Sequence, residues 1–207
     1  MSAEGLAPAG AERSGARRLF FIRHGETDWN AEGRLQGQRD IPINARGREQ
    51  AVEAAHRLRE VRPDPGALPW IVSPLGRTRE TAELARAALG LDPTAYTTDE
   101  RLKEISFGRW EGFTWREIRK TEPEAARDRE RGKWTLVPPG GESYVMLAER
   151  IRPWVAELVG DNVIVAHGGV ARALMHLLAG VPGVQASAAE IWQGRVLVFE
   201  KSRFFWV

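Results

Sequence analysis

Two short apolar runs each lead directly into a His-Gly pair. Leu19-Phe20-Phe21-Ile22 precedes Arg23-His24-Gly25, and Val163-Ile164-Val165-Ala166 precedes His167-Gly168. Runs of this length predict buried strands, and open α/β sheets bind ligands at the carboxyl ends of their strands. If the two strands are parallel neighbours, both imidazoles lie at one edge of one sheet. Arg23 adds a guanidinium suited to phosphate oxygens, so the pattern favours a phosphate-handling site.

Helical and extended patterns alternate along the rest of the chain. Asn44 can cap a helix that ends near Val61, and a second helix runs from about Pro74 to Gly90. The sequence further predicts strands at 70–72, 95–102 and 162–166, helices at about 143–158 and 170–179, and a terminal hairpin of 196–199 and 204–207. Such alternation predicts an α/β fold, a three-layer αβα sandwich on a mostly parallel sheet.

Three segments depart from this alternation. Residues 30–42 are glycine-rich and polar, and we predict a loop there. Residues 114–137 are rich in charge, helical in pattern and interrupted by Pro123, which suggests a small helical insertion over the active-site edge, within about 106–145. Residues 1–17 lack the apolar stretch of a signal peptide and are expected to be a flexible tail. The remainder, 18–207, is predicted to be a single domain.

The composition limits the classes of function. Hydrophobic residues make up 43% of the 207 residues, enough for a sizeable core. The net charge is only +2, from 30 basic and 28 acidic side chains, which argues against a nucleic-acid partner. No apolar stretch approaches the ~20 residues that a membrane helix needs, and zero cysteines suit a reducing compartment. We therefore expect a cytoplasmic domain of enzyme size with no nucleic-acid or membrane partner.

Four motifs in a fixed order extend the first observation over nearly the whole chain. Arg23-His24-Gly25-Glu26-Thr27, with Trp29-Asn30 beyond it, resembles the signature of the histidine phosphatase superfamily, the phosphoglycerate-mutase-like proteins. Three later segments also match that family: 73–82 (SPLGRTRETA), 102–112 (LKEISFGRWEG) and 166–169 (AHGG). A single short motif is weak, but four in order are specific. The pattern is most similar to the small phosphatases of the family, such as α-ribazole-phosphate phosphatase.

The resemblance implies a role for each residue of the two His-Gly pairs. His24 is predicted to be the nucleophile that forms a phosphohistidine, for which it must be unprotonated, and neighbouring cations favour that state. Arg23 and Arg77 are predicted to clamp the phosphoryl oxygens. His167, assisted by the amide of Gly168, is predicted to donate to the oxygens of the transferring group.

The resemblance also implies a general acid and a binding loop. Glu104 is predicted to protonate the departing alcohol oxygen and then to act as base on the attacking water. Asn30, Gln36 and Gly37 are expected to line the phosphate pocket. By contrast, Glu111 and Glu26 are interpreted as structural hydrogen-bonding residues.

The remaining histidines and tryptophans receive weaker interpretations. His56 and His176 lie on predicted helices away from the strand ends, and a packing or surface role is expected. Trp110 and Trp115 follow Glu104 and are the tryptophans most expected to contact substrate. No His/Asp/Glu cluster in the sequence has metal-ligand spacing, so we expect no metal and no organic cofactor.

Three functions remain to be separated. The first is a metal-independent phosphomonoesterase acting on a small phosphorylated metabolite. The second is a cofactor-dependent phosphoglycerate mutase, although the family's mutases carry a longer insertion after the acid. The third is a non-catalytic phosphate-binding protein, which would be expected to have lost a histidine or the acid. The compact insertion and the complete residue set favour the phosphatase. The motifs do not identify the substrate, and a homodimer through the apolar carboxyl end stays open.

Overall fold

A six-stranded sheet forms the centre of the computed structural model, which describes residues 17–207. Its strands are β1 (Arg18–Arg23), β2 (Trp70–Val72), β3 (Thr97–Thr98), β4 (Asn162–Ala166), β5 (Val196–Glu200) and β6 (Arg203–Trp206). They lie in the order β3-β2-β4-β1-β5-β6. The first three pairs are parallel, and the pairs β1–β5 and β5–β6 are antiparallel. The prediction of a mostly parallel sheet is confirmed, with an antiparallel edge at the carboxyl end.

Helices cover both faces of this sheet. They are α1 (Asp28–Ala31), α2 (Ala45–Val61), α3 (Gly76–Ala88), α4 (Trp115–Thr121), α5 (Pro123–Gly132), α6 (Tyr144–Glu157), α7 (Gly168–Ala179) and α8 (Gly183–Ala188). One apolar cluster joins the sheet to α2 and α3, and a second joins it to α6, α7 and α8. This arrangement confirms the three-layer αβα sandwich.

The apolar run of β1 contributes side chains to both apolar clusters. Leu19 and Phe21 belong to the cluster with α6 and α7, whereas Phe20 and Ile22 belong to the cluster with α2 and α3. A strand buried on both faces has no polar side, which explains the continuous hydrophobic sequence. All four side chains are at most 1% exposed, and truncating either phenylalanine to alanine should cost about 3–5 kcal/mol.

The structure differs from the predicted elements in three places. The predicted strand at 95–102 is wrong in length, since only Thr97–Thr98 pair with β2 and a 3₁₀ turn occupies Glu100–Leu102. Asp99 ends the strand, because its carboxylate accepts a hydrogen bond from the backbone N–H of Arg101 at 2.8 Å. The predicted loop at 30–42 begins inside α1, whose cap is Thr27, and α8 was not predicted.

The helical insertion has the predicted interruption at Pro123. Thr114 caps α4 in a capping box with Glu117, and Pro123 occupies the first turn of α5, where its missing N–H costs no hydrogen bond. Trp110 and Ile118 form a small apolar cluster that packs the insertion onto the rest of the domain.

The terminal hairpin also forms as predicted. Lys201 and Ser202 connect β5 to β6 with φ of 49° and 59°, the left-handed pair of a two-residue turn. Between residues 17 and 207, no helix is both long enough and apolar enough to cross a membrane. The predicted tail at 1–17 lies outside the described residues except for Arg17.

Candidate active site

The pairing of β1 with β4 brings the two His-Gly pairs together. The strands are parallel, with Arg23 opposite Ala166, so the histidine that follows each strand lies at the same edge of the sheet. The backbone N–H of His24 donates to the carbonyl of Ala166 at 2.9 Å. The ring centroids of His24 and His167 lie 5.2 Å apart. The register of one strand pair therefore fixes the distance between the two imidazoles.

The hydrogen bond of His24 assigns its tautomer. Nδ1 lies 2.8 Å from the carbonyl oxygen of Gly25. A carbonyl oxygen can only accept, so Nδ1 carries the proton and Nε2 keeps its lone pair. His24 lines a pocket of about 140 Å³ at the strand ends. The unprotonated nitrogen is therefore the one available for attack on phosphorus.

Burial and charge keep both imidazoles neutral. Burial lowers the pKa of His24 well below its ordinary 6.5, and the positive charges of Arg77 and Arg23 lower this pKa further. The pKa of His167 is also well below 6.5, again through burial first and then through the charge of Arg77 and neighbouring groups. A neutral His24 meets the requirement for a nucleophile at pH 7.

A buried arginine, Arg77, and a half-buried one, Arg23, lie beside His24, and backbone carbonyls hold each of them. Nη1 of Arg23 donates to the carbonyl of Ile191 at 2.8 Å. Arg77 donates to the carbonyls of Arg39 and Gly37 at 2.6 and 2.7 Å. Burial is the main cause that lowers the pKa of Arg23, to about 10, so the group stays charged at neutral pH. These contacts orient both guanidinium groups without neutralising them.

Four buried side-chain atoms in the described part of the chain have no hydrogen-bond partner. They are Nε of Arg23, Oε1 of Gln36, Nε of Arg77 and Nδ1 of His167. Three of these residues line the pocket, and the fourth, His167, packs against the pocket residue His24. Because burying an unpaired polar atom costs about 1–3 kcal/mol, their concentration in one place indicates a binding site for a polar ligand.

Glu104 is the one carboxylate among the described residues that line the pocket. Its oxygens accept hydrogen bonds from the backbone N–H groups of Ile105 and Gly169, at 2.9 and 3.1 Å. A Cβ on Gly169 would collide with this carboxylate, so only glycine allows the approach. The charge of Glu104 raises the pKa of both Arg23 and Arg77, which places the acid within reach of both cations.

The predicted binding loop lines the same pocket. Asn30, Gln36, Gly37 and Gly168 are all lining residues. Gly37 has φ of 56° and its carbonyl accepts from Arg77. The side-chain nitrogen of Gln36 donates to the hydroxyl of Thr27 at 2.6 Å, so the side-chain oxygen of Gln36 has no donor. A flip of this amide would exchange the positions of its nitrogen and its oxygen.

Comparison with known proteins identifies the family to which this site belongs. The family model described as "Histidine phosphatase superfamily (branch 1)" matches residues 19–204. The chain is 39% identical over 180 residues to glucosyl-3-phosphoglycerate phosphatase of Mycobacterium tuberculosis, covering 81% of this chain and 77% of the relative. The chain belongs to the histidine phosphatase superfamily. The resemblance seen in the four motifs is thereby confirmed.

Other relatives of this histidine phosphatase differ in their names. A protein described as probable phosphoglycerate mutase GpmB from Salmonella paratyphi C is 34% identical, over 80% of this chain and 76% of its own. The structure of mycobacterial glucosyl-3-phosphoglycerate phosphatase in complex with VO3 has a TM-score of 0.77, at 37% identity and with 88% and 90% of the two chains covered. The α-ribazole phosphatase of Shigella flexneri has a TM-score of 0.75, at 28% identity and with 87% and 89% covered.

The site of this histidine phosphatase includes residues that the sequence did not reveal. Ser73 places its hydroxyl 2.7 Å from Nε2 of His167. Gln193 donates to the carbonyl of His24 at 3.1 Å and to the side chain of Asn30 at 3.2 Å. Tyr144 and Arg172 line the pocket and are hydrogen-bonded to each other at 3.2 Å. Only Ser73 lies within a recognised motif, and the others had no local signal.

Glu111 and Glu26 have the structural contacts that were expected of them. The carboxylate of Glu111 accepts hydrogen bonds from the backbone N–H groups of Gln38 and Phe107, both at 3.1 Å. Glu26 accepts from the side chain of Asn44 at 3.1 Å and so ties the loop to the start of α2. Neither glutamate lines the pocket.

The other histidines and the two tryptophans lie outside the pocket. His56 is exposed, and His176 bonds to the carbonyl of Val181 at 2.9 Å. The expectation that Trp110 and Trp115 contact substrate is wrong, since neither lines the pocket. Trp110 is buried because its indole N–H finds a partner in Glu122, inside the insertion. Within residues 17–207, no group of three or more His, Asp or Glu side chains could hold a metal ion.

Proposed function

We propose that the protein hydrolyses phosphate monoesters of a small metabolite through a phosphohistidine on His24, without a metal ion. One observation carries this proposal: a neutral imidazole and two guanidinium groups converge on one small pocket that is lined by a single carboxylate. Cations with unpaired N–H groups stabilise the charge on phosphoryl oxygens, and a neutral nitrogen supplies the nucleophile.

The first half of the reaction transfers the phosphoryl group to the protein. Nε2 of His24 attacks phosphorus, the bond from phosphorus to the ester oxygen breaks, and the proton of Glu104 passes to that oxygen. The alcohol leaves neutral. Arg23, Arg77 and Nδ1 of His167 donate hydrogen bonds to the oxygens of the phosphoryl group during its transfer.

The second half releases phosphate. Water attacks phosphorus, the carboxylate of Glu104 takes a proton from that water, and the phosphorus–nitrogen bond breaks. Inorganic phosphate leaves, His24 regains its lone pair, and Glu104 ends protonated, as it began. One carboxylate therefore serves as acid and then as base, which suits a pocket lined by a single acid.

The substrate is not carried over from the relatives, because their names differ. They include a glucosyl-3-phosphoglycerate phosphatase, a protein described as probable phosphoglycerate mutase GpmB and an α-ribazole phosphatase. A cytoplasmic location is part of the proposal, since a sequence with zero cysteines suits a reducing compartment. We also propose a homodimer through the edge strand β6, where Phe204 and Phe205 are 36% and 47% exposed. Sedimentation velocity measures whether this dimer forms.

Acid quenching during turnover tests the proposal. Wild-type protein should trap acid-labile phosphate on His24 with a phosphate monoester labelled at phosphorus. His24→Ala should trap none and should lose hydrolysis, whereas His56→Ala, on the exposed face of α2, should keep both. Trapped label that survives in His24→Ala would remove His24 as the nucleophile.

A further inference from the structure

The connection between α8 and β5 contacts several residues that line the active-site pocket. The carbonyl of Ala189 accepts a hydrogen bond from Nε of Arg172 at 2.9 Å. The carbonyl of Ile191, two positions later, accepts one from Nη1 of Arg23 at 2.8 Å. Ile191 itself is 4% exposed and packs in the apolar cluster with α6 and α7, which fixes this connection against the domain. Gln193 follows at the same spacing of two residues.

The side-chain amide of Gln193 is hydrogen-bonded twice. Its nitrogen lies 3.1 Å from the carbonyl oxygen of His24 and 3.2 Å from Oδ1 of Asn30. Since a backbone carbonyl can only accept, the atom that faces His24 is the nitrogen, and its two hydrogens supply both contacts. The partners of Gln193 therefore determine which way its amide points.

The partners of Asn30 fix its amide in the same way. Oδ1 of Asn30 accepts from Gln193 and from the backbone N–H of Thr27, each at 3.2 Å. A backbone N–H can only donate, so the atom that faces Thr27 is the oxygen. The hydroxyl of Thr27 donates to the same oxygen at 3.2 Å. The nitrogen Nδ2 is thus the donor that Asn30 offers to the pocket it lines.

We propose that Gln193 is a positioning residue, which holds the amide of Asn30 so that Nδ2 donates to an oxygen of the bound phosphoryl group. The inference rests on the proposed phosphatase function and adds to it a residue that does not itself line the pocket. A reversed Asn30 amide would turn Oδ1 towards the phosphoryl oxygens, and two acceptors repel each other. Without Gln193, the amide loses one of the three donors that hold it.

Binding of inorganic phosphate, measured by calorimetry, tests this role without turnover. Gln193→Met keeps the length of the side chain and removes its N–H groups. The dissociation constant for phosphate should rise about tenfold, in line with one hydrogen bond to a charged group. Because this contact exists before and during phosphoryl transfer, KM for a phosphate monoester should rise by a similar factor, while kcat changes by less than about threefold. Gln185→Met, on the exposed side of α8, should change neither constant.

A double-mutant cycle shows whether Gln193 acts through Asn30. Asn30→Ala should weaken phosphate binding at least as much as Gln193→Met does. Adding Gln193→Met to Asn30→Ala should then change the affinity by less than about twofold, since the group that Gln193 positions is already gone. Losses that multiply in the double variant would overturn the inference. So would a lower kcat with unchanged phosphate affinity, because Gln193 would then act through the carbonyl of His24.

An NMR titration of the wild-type protein needs no variant of Gln193. The side-chain ¹H and ¹⁵N signals of Asn30, identified by their absence from Asn30→Ala, should move downfield when inorganic phosphate is added, as expected for an N–H that bonds to a charged acceptor. Signals that do not respond to saturating phosphate would overturn the inference, even if thermal melts show that Gln193→Met is unfolded. Failure of the phosphatase proposal is separate and would appear as hydrolysis that persists in His24→Ala.

Discussion

The hydroxyl oxygen of Ser73 lies 2.7 Å from Nε2 of His167. Ser73 follows β2, and its backbone N–H donates to the carbonyl of Val165 in β4 at 2.9 Å, so the pairing of two parallel strands fixes this contact. Burial and nearby cations keep His167 neutral. When the serine hydroxyl donates to Nε2, the ring proton is on Nδ1, the atom with no partner. A serine hydroxyl that donates in this way selects the tautomer in which His167 can donate to a phosphoryl oxygen.

Ser73→Ala should lower kcat with little change in KM. We expect a fall of roughly tenfold, less than the ~100-fold loss that follows removal of a direct donor, because His167 itself remains. The measurement is steady-state hydrolysis together with the ¹⁵N chemical shifts of the His167 ring. Ser73→Thr keeps a hydroxyl and should retain the tautomer. If kcat falls in Ser73→Ala while the ring shifts stay those of a protonated Nδ1, Ser73 supports the fold and does not set the tautomer.

Glu104→Gln should separate the two proton transfers. Hydrolysis of an alkyl monoester should fall by roughly 100-fold or more, since the alkoxide then leaves without a proton. An aryl ester such as p-nitrophenyl phosphate leaves as a stable phenolate, so its first step should be largely spared. The second step loses its base, and rapid-quench kinetics should show a burst of nitrophenol with phosphohistidine accumulating.

Glu111→Gln is the matched comparison for this experiment. Glu111 holds backbone N–H groups and lies outside the pocket lining, so its variant should show no burst. Equal slowing of both ester types in the first step of Glu104→Gln, with no burst, would make Glu104 a binding residue.

Local signals in the sequence were enough for the strands and the central site. β1 and β4 are apolar on both faces, so their hydrophobic runs are continuous, and a histidine directly follows the last residue of each strand. The cap of α2 was readable because Asn44 precedes an amphipathic pattern, and its side chain accepts from Gly47 at 2.9 Å. Such features depend on neighbours a few residues away.

Contacts between distant segments could not be predicted in this way. Ser73 and His167 are 94 positions apart, and Gln193 reaches His24 across 169. Arg172 looks like any other helical arginine until α7 is placed beside Tyr144. The short helix α8 was missed because six small or weakly polar residues carry no amphipathic pattern.

The acid limit of activity should lie well below pH 6.5. Burial is the main cause that lowers the pKa of His24, and Arg77 is the next. Removing this cation in Arg77→Gln should raise the pKa of His24, so the imidazole would take up its proton at a higher pH than in wild type. Arg79→Gln, which removes an exposed arginine of α3, should leave the titration unchanged. ¹⁵N NMR titration of the free proteins measures the pKa of His24 directly. A His24 that titrates near 6.5 in wild type would contradict the prediction of a lowered pKa.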